Sequence, residues 1–170
     1  GWTDIKCIEI AGVQGDATNT ARMEGYREGV NEAGGEFLDN ETQYANATAD
    51  LAVTAMEGIM SKYPDGVAII CSNNDDMALA AARTAKSNPN YAKTIFLGFD
   101  GQKSACEAVA AGELTMTAAQ NNFDIGYKAV ETMVKILKGE QYDKVVDTGT
   151  EIITKDNAEE RLTKFSEWMK

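Results

Sequence analysis

The 170-residue sequence predicts an α/β domain: a doubly wound, mainly parallel sheet in a three-layer αβα arrangement. Three observations carry that expectation. Short apolar runs alternate with stretches of helical periodicity along the whole chain, the pattern of strands joined by crossover helices. Gly and Pro punctuate the joints. Hydrogen-bonding side chains gather where each predicted strand stops, which is the edge at which open parallel sheets bind ligands.

Taken in order, IKCIEIAG (5–12) reads as a buried strand and leads to a helix over 18–33 that Gly34 and Gly35 close. GEFLDNE (35–41) is the second strand, before a helix over 48–62 striped by Ala52, Ala55, Met56, Ile59 and Tyr63. Pro64-Asp65-Gly66 turns the chain into the third strand, GVAIICSN (66–73), and a helix over 76–86 follows with Ala78, Ala81, Ala82 and Ala85 on one face. KTIFLGFD (93–100) precedes a helix over 103–111 that ends at Gly112. LTMTAAQ (114–120) precedes a helix over 124–138, striped by Ile125, Ala129, Val130, Met133 and Leu137 and ended by Gly139. VVDTGTEIITK (145–155) and a helix over 157–169 complete the alternation. The Met and Ala stripes read as core rather than as a cofactor box.

Composition narrows the function classes. With 44% hydrophobic and 25% charged residues the chain is that of one globular domain. Sixteen basic against 27 acidic residues leave a net charge of −11, a balance that argues against a nucleic-acid partner, since phosphate neutralisation needs clustered Lys and Arg. No apolar run approaches the ~20 residues that span a bilayer. The opening GWTDIKCIEI lacks an initiator Met and enters a strand at once, as expected of a processed chain or a piece of a longer one. Cys7, Cys71 and Cys106 have no CxxC spacing and read as buried free thiols. The absence of histidine removes the commonest general base and metal ligand, so neither catalysis nor a metal or cofactor is expected.

The strand ends carry the informative chemistry: Asp16, Thr18, Asn19 and Arg22 after the first, Tyr44 and Asn46 after the second, Asn73 and Asn74 after the third, Phe99 and Asp100 in the fourth, Gln120 in the fifth. Neutral polyols need this mixture. Each hydroxyl both donates and accepts, so a carboxylate, amides and a guanidinium at fixed positions satisfy several, while an aromatic covers the apolar face of a sugar ring. Structural roles compete at each position. Asp100 can cap the helix after Gly101, Asn74 or Asp75 can cap the one that follows them, and Arg22 can be an ordinary surface charge. Other chemistries fit less well. GDATNTA loosely resembles the Thr-rich phosphate loop of flavodoxins and leaves an FMN protein as a rival, but no clear pair of aromatics is placed to sandwich a flavin. The first strand ends in Ala11-Gly12 rather than in the acidic cluster of a receiver domain, and a P-loop or GxGxxG fingerprint is absent.

GDATNTARMEGYREG, YPDGVAIICSNNDDMALAAARTA, KTIFLGFDGQKSACEAVAAGELTMTAAQNN and IITKDN, in that order and over nearly the whole chain, resemble the sugar-binding periplasmic proteins of ABC importers, in the ribose- and galactose-binding group. That group shares its fold with the effector domains of LacI-type repressors, which makes a repressor's effector lobe the alternative; TEIITKDNAEE favours the transport branch. The resemblance implies two hinged, flavodoxin-like lobes around one sugar. In its second lobe an Arg of the first helix, an Asn opening the third, an Asp ending the fourth strand and an Asn or Gln ending the fifth hold the ligand. Those motifs fall on Arg22, Asn74, Asp100 and Gln120, with Asp16, Thr18, Tyr44, Asn46 and Phe99 as further candidates. Asp100 is expected to accept from sugar hydroxyls, with Gly98 and Gly101 letting the ligand approach.

Two departures follow. QYANAT puts Ala47 near the position of the family's stacking aromatic, with Tyr44 three residues earlier. A complete member is also about twice this length, so residues 1–170 correspond to a single carboxyl-terminal lobe: the ligand-binding part is 1–120 and 145–170, and 121–144 is a helix that in the family crosses to the other lobe. Deprived of that partner, the helix over 124–138 is expected to dock on this lobe's own sheet or to be buried in a homodimer. The function implied is the solute-binding component of a sugar ABC transporter, extracytoplasmic, with a monosaccharide or polyol ligand and an ABC permease as partner.

Overall fold

The first apolar run forms strand β1, Lys6–Ala11, and the sheet grows from it on both sides in the computed structural model, which describes residues 2–168. On one side lie β2 (Glu36–Phe37) and β3 (Gln43–Tyr44). On the other lie β4 (Ile69–Ser72), β5 (Ile95–Asp100), β6 (Met116–Gln120) and β7 (Thr150–Ile153). The order is β2-β1-β4-β5-β6-β7, with β3 also paired to β1 and every pair parallel except β6 with β7. Helices α1 (Ala17–Glu32), α2 (Ala49–Lys62), α3 (Asp75–Ala85) and α4 (Lys103–Ala111) make the parallel crossovers; α5 (Asn122–Lys138) and α6 (Ala158–Trp168) flank β7.

Strand alternation sorts the residues between two faces. Cys7 packs with Val30, Phe37 and Cys71 under α1, while Ile8 and Ile10 join the larger core against α2, α3, α4 and α6. The expected stripes of α2 and α3 are covered. Ala52, Met56 and Ile59 are buried with Ala55 and Tyr63 packed beside them, and Ala78, Ala81, Ala82 and Ala85 are all buried. The three cysteines are free and buried, as their apolar surroundings imply.

Several expectations need correction. The run GEFLDNE is not one strand: a 3-10 turn at Asp39–Glu41 lifts the chain off the sheet between β2 and β3. The backbone bonds Leu38 N–Cys7 O (2.9 Å) and Ala45 N–Ala11 O (2.8 Å) bracket the gap. The last strand is shorter than 145–155 and antiparallel. Its connection leaves β6 at the carboxyl edge and returns to that same edge, pairing Gln120 with Thr150, which forces the strand to run back down. The expected end of the final helix at Met169 lies outside the described residues.

The expected docking of α5 on the lobe's own sheet is also overturned. No residue of α5 is buried; Val130 is 65% and Leu137 79% exposed. Asn121 alone separates the end of β6 from the start of α5, so the turn at the strand end sets the helix axis and carries it past the sheet edge. The face it was expected to cover stays open as an apolar groove of about 420 Å3, where Leu97, Met116, Ala118 and Ile152 lie beside Ala21 and Tyr26 of α1.

Candidate functional site

Helical period and strand ends converge on the carboxyl edge of the sheet. Asn19, Arg22 and Tyr26 recur at three- and four-residue spacing on α1, so all three face the strand ends. Asp16 caps this helix, its Oδ1 accepting from Asn19 N at 2.8 Å. Asn19 is buried. Its side-chain oxygen accepts from Gly12 N (2.5 Å), and its carbonyl accepts from Asn73 Nδ2 (3.1 Å). Tyr26 donates its hydroxyl to Ser72 O and lies within hydrogen-bond distance of Gly98 O, riveting α1 to β4 and β5; burial pushes its pKa well up.

Arg22 is the hub. Its Nη1 donates to Asn73 O (2.8 Å), its Nη2 donates to Asp100 Oδ1 (3.0 Å), and its guanidinium lies 3.9 Å over the Phe99 ring. Phe99 thus offers that ring face to a cation rather than to a ligand. Gln120 Nε2 donates to the same Asp100 oxygen at 2.7 Å. Both bonds fall on Oδ1, so Oδ2 has no protein donor among the described residues. A carboxylate oxygen fixed through its twin and left free can accept from hydroxyls brought by a ligand.

The remaining candidates are placed less directly. Asn74 caps α3 by accepting from Met77 N (2.9 Å), and its Nδ2 donates to Ala47 O (3.2 Å), so both ends of its amide are engaged within the protein. That bond ties α3 to the loop bearing Asn46, which with Ala47 has a positive φ (47° and 60°). Tyr44, on β3, is 41% exposed on the β1 side of the edge. Thr18, Arg22, Phe99 and Gln120 line a cleft of about 480 Å3 together with Ile125 and Asp147–Thr150. The contribution of the 147–150 loop was not expected from sequence, because it depends on Asn121 Nδ2 donating to Thr148 O (2.7 Å) across 27 residues. Among the described residues no cluster of three His, Cys, Asp or Glu side chains could hold a metal.

The glycines of GFDG have a different reason from the expected one. A Cβ at Gly98 would stand 2.3 Å from Asp75 Oδ1, and one at Gly101 (φ 67°) 2.1 Å from Ala119 Cβ. They admit the protein's own groups rather than the ligand. Two buried acids lie beneath the site, also unexpected. Burial raises Asp75 to about 6 and Glu9 to about 7. Glu9 accepts from Asn73 Nδ2 at 3.3 Å, while its Oε2 has no partner.

Comparison with known proteins agrees with this architecture. Residues 3–141 match the periplasmic binding protein domain. The ribose import binding protein RbsB of Escherichia coli is 32% identical over 150 residues, covering 88% of this chain and 49% of that protein. The D-allose-binding periplasmic protein of the same organism is 32% identical over 125 residues, covering 74% and 40%. The structure of a Caulobacter myo-inositol binding protein bound to myo-inositol superposes with a TM-score of 0.83 at 26% identity, covering 95% of this chain and 56% of that one. The chain spans about half the length of the curated relatives it matches. With the family match running through α1, the strand ends and α5, this chain belongs to the periplasmic binding protein domain family, of which it forms one type I α/β lobe.

Proposed function

We propose that this lobe is the carboxyl-terminal half of the binding site of an extracytoplasmic solute-binding protein, a binding module rather than an enzyme, whose ligand is a monosaccharide or related polyol. The observation that carries the reading is Asp100, its Oδ1 held by Arg22 and Gln120 and its Oδ2 left for a ligand at the carboxyl edge. The relatives' names point to ribose, allose and inositol, all rich in vicinal hydroxyls that a free carboxylate oxygen accepts from. In the whole protein, Arg22, Asp100 and Gln120 form one wall of the site, with Asn74, Thr18 and Asp16 at its margin and Tyr44 and Asn46 on the far loop. Closure on the ligand signals an ABC permease. On its own the chain supplies one wall and cannot close, so its affinity is expected to be weaker by several kcal/mol, about tenfold for each 1.4. The apolar stripe of α5 is assigned to an interface, with the rest of the whole protein or with a second copy of this lobe.

Calorimetric titration with D-ribose, D-allose and myo-inositol, run beside Asp100→Ala, tests the reading. Heat present in the wild type and absent in the variant is the expected result. Equal heats in both would remove Asp100 from the site and overturn the proposal.

A further inference from the structure

Asp75 is fully buried at the first turn of α3, yet neither of its oxygens caps that helix. Asn74 caps α3, and the neighbouring acid Asp76 is exposed. Both oxygens of Asp75 reach across to the turn after β5. Oδ2 accepts from Gln102 N (2.7 Å). Oδ1 accepts from Thr117 Oγ1 (2.6 Å), whose oxygen in turn accepts from Gly101 N (3.2 Å). The two amides that follow Asp100 are therefore held by one buried carboxylate, directly and through one hydroxyl. Asp100 itself has φ 110°, a conformation that L side chains avoid and that persists only where the surroundings impose it. The missing Cβ of Gly98 is what lets Asp75 in.

We propose that Asp75, with Thr117, is a positioning residue for the ligand site: it clamps the Gly101-Gln102 turn and so holds Asp100 in the conformation that lets Arg22 and Gln120 take Oδ1 and leaves Oδ2 for the ligand. This rests on the sugar-binding reading of Asp100. The clamp explains why a charge is kept in the interior at a desolvation cost. The titratable groups around it are Asp100 on β5, Tyr26 on α1 and the buried Cys106 on α4, all close enough to feel its charge.

Nuclear magnetic resonance and calorimetry on this chain test the clamp together. In the wild type the Gln102 and Gly101 amide shifts should follow one ionisation near pH 6, and the HN–Hα coupling of Asp100 should be the small value of a positive φ. In Asp75→Asn the ionisation should vanish, the Asp100 coupling should move toward the extended-strand value, and sugar affinity should fall about tenfold or more. Thr117→Val, which removes only the hydroxyl, should free the Gly101 amide and shift the coupling partway. Gly101 and Gln102 amide shifts that are the same in the wild type and Asp75→Asn would overturn the clamp, as would an unchanged coupling in both variants, whether or not sugar binds. Normal NMR behaviour with equal sugar heats in the wild type and Asp100→Ala would sustain the clamp and overturn the ligand reading instead.

Discussion

Helices α3 and α5 carry the same kind of apolar stripe and meet opposite fates. Seven residues of α3 are buried, while none of α5 is, although α5 is longer. Amphipathicity states that one side of a helix seeks cover; it carries no address for that cover. The crossover that contains α3 returns to the next parallel strand and is drawn down onto the sheet, whereas α5 leaves and re-enters at the same edge and never crosses the face.

The largest effect expected from breaking this contrast is in the covered helix. Met77→Ala should cost about 2–5 kcal/mol in urea unfolding, because a fully buried side chain leaves a cavity. Met133→Ala on α5 should cost within about 0.5 kcal/mol in the same assay. Equal losses would mean that α5 is buried in solution, which sedimentation of the chain at several concentrations would assign to a dimer or to a monomer.

Gly98→Ala should rank next. Its Cβ meets Asp75 Oδ1 and Ala78 Cβ, and overpacking of this kind costs about 1–3 kcal/mol. Stability measured by urea midpoint should fall, and the Asp100 resonances should shift although the change lies two residues away. An unperturbed Asp100 would separate the turn from the strand interior.

The acids beneath the candidate site give a pH-dependent effect of similar size. Glu9 and Asp75 have folded-state pKa values of about 7 and about 6, raised from 4.5 and 3.8 by burial. Between the unfolded and folded values the native state binds more protons, so their contribution is fully present below about pH 4 and is lost as pH rises through 6 and 7. Each is worth on the order of 1–3 kcal/mol across that window. Glu9→Gln should flatten the upper part of the stability profile, and a profile unchanged in that variant would place the titration elsewhere.

The smallest effect is expected at the thiols. Cys7 and Cys71 have sulfurs 3.4 Å apart, but the register sets Cys7 against Ile69 and Cys71 against Glu9, making them a diagonal pair. Diagonal Cα atoms lie about 7–8 Å apart, beyond easy disulfide geometry. Alkylation after mild oxidation and unfolding should therefore count three free thiols, with no change in midpoint; a count of one would show that the strands shift enough to join them.

Much of the candidate site was legible in the sequence because open parallel sheets present their strand ends together. Strand-end position put Arg22, Asp100 and Gln120 among the candidates, the family resemblance singled them out together with Asn74, and the structure brings these three into contact. Asn74 was legible as a candidate and as a possible cap, but its second amide bond was not, since the partner at Ala47 lies 27 residues away. Tyr26 was missed even though it shares the face of Arg22, because a helix interior gives no sign that a hydroxyl will bridge two strands. The reason for the GFDG glycines was missed as well, since it lies in a buried acid from another crossover.

By itself, the sequence determined the alternation of strand and helix, the covered stripes of α2 and α3, and the polar character of one sheet edge. Those follow from residue spacing and local propensity, which act within a few turns of chain. Only the tertiary structure decided that the second strand splits, that β7 runs antiparallel, that α5 stands clear of the sheet and that Asp75 clamps the turn after Asp100. Each of these depends on where a connection returns or on a hydrogen bond between distant segments, and such closures are set by the geometry of the whole sheet rather than by any local pattern.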